Sequence, residues 1–269
     1  MRWMRHVHLS HLLDARCLTL QGLPSQAGAA NRPGLRIVIE HLILFDIDGT
    51  LIWTDGAGRS AIGEALLAEM GSTGPIDDYR FDGKTDPQIV IELMTAAGHP
   101  DAESPKHIEA VCRRYLDLLR QELGERQDAI RVYPGIENLL RALEARSDTV
   151  IGLLTGNLEE GAHLKLSAAR IDPARFRVGA FGSDSAVRGE LPAIAAARAV
   201  PILGRELKGE AIVIIGDTPA DMTCGNGVGA RAVGVATGRH SVAELLQAGG
   251  DAAFEDLADT ESVLDAVYS

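Results

Sequence analysis

The chain has 269 residues, 46% of them hydrophobic and 24% charged, enough apolar material for one large core or for a core with a smaller partner domain. Its formal charge of −12 excludes a broad nucleic-acid footprint, which needs clustered Lys and Arg, and its apolar runs end far short of the ~20 residues of a membrane-spanning helix. The cysteines Cys17, Cys112 and Cys224 are far apart and form no CxxC pair, which excludes a disulfide framework and a zinc or redox dithiol motif and points to a reducing cytoplasm.

The opening stretch, residues 1–36, is Arg-rich, with Arg2, Arg5, Arg16, Arg32 and Arg36 against Asp14, and carries His6, His8 and His11. An Arg-rich, acid-poor start can be a transit peptide. A signal peptide is not expected, because the apolar stretch from Leu18 to Leu23 is short, is broken by Gln21 and lacks a small-residue cleavage pattern. The reading taken is a poorly ordered extension without a metal site.

From Ile37 to Phe45 the residues are β-branched or apolar almost without a break, the mark of a strand buried on both faces of a parallel sheet. Asp46-Ile47-Asp48-Gly49-Thr50-Leu51 follows directly. Two carboxylates at a strand's end, with Gly49 permitting a sharp turn, can both face a ligand crevice. A solvated turn or a calcium loop competes with this reading. An EF-hand loop, however, needs Gly sixth and Glu twelfth, and here Gly49 falls fourth and the twelfth residue is Ala57.

Residues 55–130 show helical periodicity with no strand-like run, over Arg59–Met70, Pro87–Ala97 and Pro105–Leu123. This is far beyond a loop's length, so a helical cap subdomain inserted at the carboxyl end of the first strand is expected, placed where it can act as a lid. Within it, Phe81-Asp82-Gly83-Lys84-Thr85-Asp86-Pro87 joins polar groups to a Pro-started helix, which Thr85 or Asp86 can cap.

Strand-like runs recur at Thr149–Leu154, Arg177–Phe181, Ala211–Ile215 and Ala230–Ala236, separated by amphipathic stretches at Ile136–Ala145, Leu158–Ala169 and Leu191–Ala199. That alternation predicts an α/β fold, a doubly wound, Rossmann-like parallel sheet, over 37–54 and 131–269. After the second of these strands, Thr155-Gly156-Asn157 offers a hydroxyl and a Gly N–H at the start of a helix whose dipole favours an anion. Lys165, in the middle of that helix, reads as a surface or stem-packing residue. Gly216-Asp217-Thr218-Pro219-Ala220-Asp221 places further carboxylates at a strand end. Gly225-Asn226-Gly227-Val228-Gly229 starts too far after its strand to be a dinucleotide loop.

The DxDGT at Asp46–Thr50, the Thr155-Gly156-Asn157 and the GDTxxD at Gly216–Asp221, in this order, resemble the haloacid dehalogenase superfamily over roughly residues 41–255. The helical insert resembles its phosphoglycolate phosphatase and β-phosphoglucomutase branch. The resemblance implies a magnesium-dependent phosphatase in which Asp46 is nucleophile and metal ligand, Asp217 is a ligand and residue 48 contributes its backbone carbonyl. It makes the Asp48 carboxylate the general acid and base, lets Thr155, Gly156 and Asn157 hold the phosphoryl group, and gives Asp221 the metal shell or the basic residue to support. It also implies a cation on the segment after the third strand, usually Lys; Arg188 is the candidate, and Arg can hold phosphate bidentately. In related caps the loop carrying Lys84 and Thr85 lowers onto the substrate.

The chemistry asks for these residue types independently, since a phosphate dianion repels a carboxylate nucleophile unless a divalent cation offsets the charge, and magnesium suits an all-oxygen site. The expected partner is a small phosphorylated metabolite, phosphoglycolate-like or a sugar phosphate, with neither nucleic acid nor membrane. A phosphosugar mutase would keep every motif and is the alternative. A dehalogenase or a phosphonate hydrolase would be expected to replace Asp48, and a non-catalytic binding protein to have lost a motif carboxylate.

Overall fold

The computed structural model describes residues 40–269; the expected extension over 1–36, its histidines and the first residues of the 37–45 run lie outside the described residues. Six parallel strands form one sheet: β1 (His41–Phe45), β4 (Thr149–Leu154), β5 (Val178–Ala180), β6 (Ile212–Gly216), β7 (Arg231–Val235) and β8 (Ala252–Phe254), in the order β5-β4-β1-β6-β7-β8. Central β1 pairs with β4 on one side and β6 on the other, with Phe45 opposite both Leu153 and Ile215. Its side chains alternate between two cores. Ile43 and Phe45 pack under α4 (Ile136–Glu144), α5 (Glu159–Ala168) and α9 (Thr260–Tyr268), while Leu42 and Leu44 pack under α6 (Leu191–Leu203). Helices on both faces explain why the strand reads as continuously apolar.

The long insert forms α1 (Ala57–Met70), α2 (Asp86–Ala96) and α3 (Pro105–Glu125), which bury Ile62, Leu66, Leu93, Met94, Val111, Tyr115 and Leu119 in a core of their own. Its two ends come together as a short antiparallel pair, β2 (Ile52–Trp53) and β3 (Arg131–Val132). At two residues each these strands are too short to carry a period, and the sequence reading missed them. It also missed β8, a half-buried edge strand, and the short helices α7 (Pro219–Cys224) and α8 (Val242–Gln247). α2 starts sharply because Thr85 and Gln88 form a reciprocal capping box and Pro87 sits in the first turn.

Candidate active site

The carboxyl ends of β1, β4 and β6 meet beside the point where the strand order reverses, the usual ligand crevice of an open α/β sheet. Strand pairing continues past the strand ends: Asp46 N–H donates to the Ile215 carbonyl at 2.9 Å and Thr155 N–H to the Ala180 carbonyl at 3.1 Å. These bonds anchor the first residue of each motif to the sheet. Over the crevice lies a cavity of about 870 Å³ that core and cap line together.

On one side of it Asp46, Asp217 and Asp221 gather, all buried, each with an oxygen within 4.8 Å of the others. Asp217 is wedged by two glycines: a Cβ at Gly49, where φ is +84°, would lie 2.3 Å from its Oδ2, and a Cβ at Gly238 only 1.9 Å. Thr50 Oγ1 donates to its other oxygen at 3.1 Å. Asp221 spends one oxygen on Thr218 N–H (3.0 Å) and Oγ1 (2.6 Å), capping α7, and gives the other to Arg188. Arg188 also lies 3.3 Å from Asp46 Oδ1. Burial works against the guanidinium's charge, but Asp221 and Asp46 outweigh it and raise its pKa. Burial pushes Asp46 from an ordinary 3.8 up to about 6, with Arg188 opposing and Asp221 and Asp48 adding to the rise. Burial, Asp221 and Asp46 push Asp217 well above its usual range.

Three carboxylates thus share a single guanidinium, and two of them, when ionised, have no counter-charge among the described residues. A hard divalent cation with oxygen ligands fits that deficit and that donor set. Asp46 and Asp217, whose oxygens are less committed than those of Asp221, are the residues suited to hold it.

Asp48 points elsewhere. Its Oδ2 accepts from Lys165 Nζ at 2.6 Å and Asn157 Nδ2 at 2.8 Å, and its carboxylate stands outside the three-aspartate cluster. The expected metal role of Asp48 therefore does not extend to its side chain, which faces the cavity half-exposed. Lys165 corrects the sequence reading: it is neither a surface nor a merely packing residue. It is buried, and it also donates to Asn157 Oδ1 at 2.6 Å. Its distance from the motifs along the chain hid it, although its place on the helix following Thr155 was a usable signal, since that helix starts at the crevice. Asn157 Nδ2 donates further to Thr155 Oγ1 at 2.8 Å, so Thr155, Asn157, Lys165 and Asp48 form one hydrogen-bonded chain.

The cap loop departs from expectation in three ways. Thr85 is buried; its hydroxyl caps Gln88 N–H (3.2 Å) and donates to the Ala186 carbonyl (3.0 Å), which leaves it no proton to give a substrate. Lys84 lines the cavity, but its ammonium is bound by Glu92 and by Tyr79 Oη at 2.9 Å rather than directed at the aspartates. Gly156 is needed chiefly by the cap: a Cβ there would lie 2.0 Å from the Lys84 carbonyl, and the Gly156 carbonyl accepts from Asp86 N–H at 2.8 Å. Asp86 in turn accepts from Leu158 N–H at 2.8 Å, so a cap carboxylate occupies the amino end of the core helix α5. Burial raises that carboxyl to about 6, with Lys165 opposing.

Solved structures share this fold. A hydrolase from Pseudomonas syringae aligns at 23% identity and TM-score 0.65, covering 84% of this chain and 98% of its own. CbbY from Rhodobacter sphaeroides, solved in complex with phosphate, aligns at 22% identity and TM-score 0.60, covering 82% of this chain and 96% of its own. A predicted phosphoglycolate phosphatase from Haemophilus somnus aligns at 19% identity and TM-score 0.62, covering 86% and 100%. No match is found among curated proteins. The family model for haloacid dehalogenase-like hydrolases matches residues 43–226, the span that carries the three aspartates, Asp48, Lys165 and Arg188; the chain belongs to that family.

Proposed function

We propose that this hydrolase is a magnesium-dependent phosphatase that removes phosphate from a small phosphate monoester through an aspartyl phosphate on Asp46. The observation that carries the reading is the division of the carboxylates: Asp46 sits in the cation-demanding cluster beside Arg188, and Asp48 stands apart, held by Lys165 and Asn157. One environment suits a nucleophile and the other a proton carrier, the separation that acid–base chemistry on paired carboxylates needs. CbbY, which shares the fold, was solved in complex with phosphate, and that supports the choice of a phosphoryl ligand.

Asp46 and Asp217 would hold the metal ion with support from Asp221, and the ion would offset the negative charge of the phosphoryl oxygens. In the first step an Asp46 oxygen attacks phosphorus, the bond from phosphorus to the ester oxygen breaks, and Asp48 gives its proton to the departing alkoxide. In the second, the Asp48 carboxylate takes a proton from water as the water oxygen attacks phosphorus, and the bond to Asp46 breaks. The sum is ester plus water giving alcohol plus phosphate. Arg188, whose buried Nε has no partner among the described residues, and Thr155 would hold the phosphoryl oxygens. Residues 55–130 would serve as the cap over a core of 37–54 and 131–269, since the insert has its own hydrophobic cluster. The free thiols Cys112 and Cys224 agree with a cytoplasmic setting.

The test is Asp46→Asn. Phosphate release from an ester panel should need magnesium and should vanish in the variant, and fluoroberyllate should bind at Asp46 in a crystal of the wild type. Near wild-type turnover by the variant would remove Asp46 as nucleophile.

A further inference from the structure

Tyr115, on α3, is 1% exposed, and its hydroxyl is buried with no hydrogen-bond partner among the described residues. An unpaired buried hydroxyl costs stability, and this one lines the cavity. It does not stand alone there. A Cβ placed on Gly58, near the start of α1, would lie 3.6 Å from Tyr115 Oη and 3.3 Å from Lys165 Nζ, so the two donors converge on the space that this glycine leaves open. Lys165 commits two N–H groups, to Asp48 and Asn157, and its third has no partner among the described residues. Asp48, to which Lys165 is bound, is the group assigned above to the ester's leaving oxygen.

We propose that Tyr115 and Lys165 form a subsite over Gly58 for the leaving group of the phosphate ester, one that takes an uncharged hydroxyl next to the ester oxygen. The proposal rests on the phosphatase reading given above. Two free donors call for an oxygen acceptor, and charge decides which. Asp48 and Asp86 both act on Tyr115 and together face the single ammonium of Lys165. Even with Asp48 holding the proton that it gives to the leaving oxygen, a carboxylate entering there would be a second negative charge, with Asp86, against the single ammonium of Lys165. A hydroxyl adds none, accepts from Tyr115 or Lys165, and can return its own proton to a carboxylate. Burial, with Asp86 and Asp48, holds the Tyr115 pKa far above its usual value, so the phenol stays a donor.

The test compares glycerol 1-phosphate, which carries a hydroxyl on the carbon beside the ester carbon, with propyl phosphate, which carries none. The wild type should prefer glycerol 1-phosphate over propyl phosphate in kcat/KM by about tenfold or more, the scale of one hydrogen bond lost together with its stranded donors. Tyr115→Phe should lower that ratio about tenfold, and it should unfold at the same temperature or a higher one because it removes an unpaired group. An unchanged ratio, or equal losses on both esters with a lower melting temperature, makes Tyr115 structural and overturns the subsite. A preference for phosphoglycolate over glycerol 1-phosphate that Tyr115→Phe abolishes makes the occupant a carboxylate and overturns the hydroxyl assignment. If the wild type hydrolyses none of these, calorimetric titration of the magnesium-loaded Asp46→Asn variant with the first two esters separates the readings. Tighter binding of glycerol 1-phosphate that depends on Tyr115 keeps the subsite while the phosphatase reading falls; binding of neither overturns both.

Discussion

At the scale of single residues, the site depends on where atoms are missing as much as on where they are present. Gly238 has no recognisable motif around it, yet it leaves the only room for the Asp217 carboxylate on that side. Gly238→Ala should displace Asp217 and lower kcat/KM by about 10²-fold, close to 3 kcal/mol of transition-state binding, with a matching rise in the magnesium concentration that half-saturates activity. An alanine variant with wild-type magnesium dependence would mean that Asp217 need not stay where it is. Asp86 permits a pH test remote from the metal-binding aspartates. Its carboxyl is raised from 3.8 to about 6, with Lys165 and Asp48 as the charged groups that act on it. A raised folded pKa gives stability that is complete below about 3.8 and lost as the pH climbs through about 6. Asp86→Asn does not titrate and can still accept from Leu158 N–H, so its stability relative to wild type should rise across that window by about 1–3 kcal/mol. Urea unfolding at pH 4.5 and 7.5 measures it, and parallel behaviour of the two proteins at both pH values would contradict the shift.

At the scale of elements, the start of α2 ties the cap to the core. Thr85 caps the helix and reaches the Ala186 carbonyl, Asp86 caps α5, and the Lys84 carbonyl lies against Gly156. Thr85→Ala should cost about 1–2 kcal/mol, the usual value of a cap with a further buried hydrogen bond added, and should lower the melting temperature by several degrees. KM should rise as well, because the loop loses its anchor. A drop in stability without any change in KM would confine Thr85 to a capping role.

At the scale of the whole molecule, a protein of charge −12 that is to take up an anion must attract it locally. The cavity lining as a whole is balanced, with seven basic side chains against seven aspartates, so the attraction falls to Arg188 and Lys165 beside the motif aspartates and to the cation that those aspartates would hold. The uncompensated aspartates link metal binding to folding. Magnesium at a hundred times its dissociation constant should add about 2.7 kcal/mol to the stability of the wild type. Asp217→Asn should lose most of that gain while being the more stable of the two without metal, since it removes one of the buried like charges. Thermal scans with magnesium and with a chelator test both halves; equal shifts in the two proteins would place the metal elsewhere.

Much of this was legible in the chain itself. The parallel sheet announced itself through apolar runs such as Leu42–Phe45, because a strand covered on both faces has no polar positions. The motif aspartates were legible because Asp46 and Asp217 each directly follow a strand, with Asp48 and Asp221 a few residues on, and the three helices of the insert because each is long and bounded by Gly or Pro. β2 and β3 were not, since two residues carry no periodicity, nor was the role of Lys165, an isolated lysine whose importance comes from what lies opposite it in space. The same holds for Lys84, which its sequence context directs at the phosphate but which Glu92 and Tyr79 claim in the fold. The sequence by itself determined the sheet, the insert and which aspartates stand at strand ends, because local periodicity and chain order decide those. Only the tertiary structure decided how the charges pair, which glycine makes room for which side chain, and which hydroxyl is left unpaired, because these depend on distances between residues as far apart as Asp48 and Lys165 or Gly58 and Tyr115, and no local pattern encodes them.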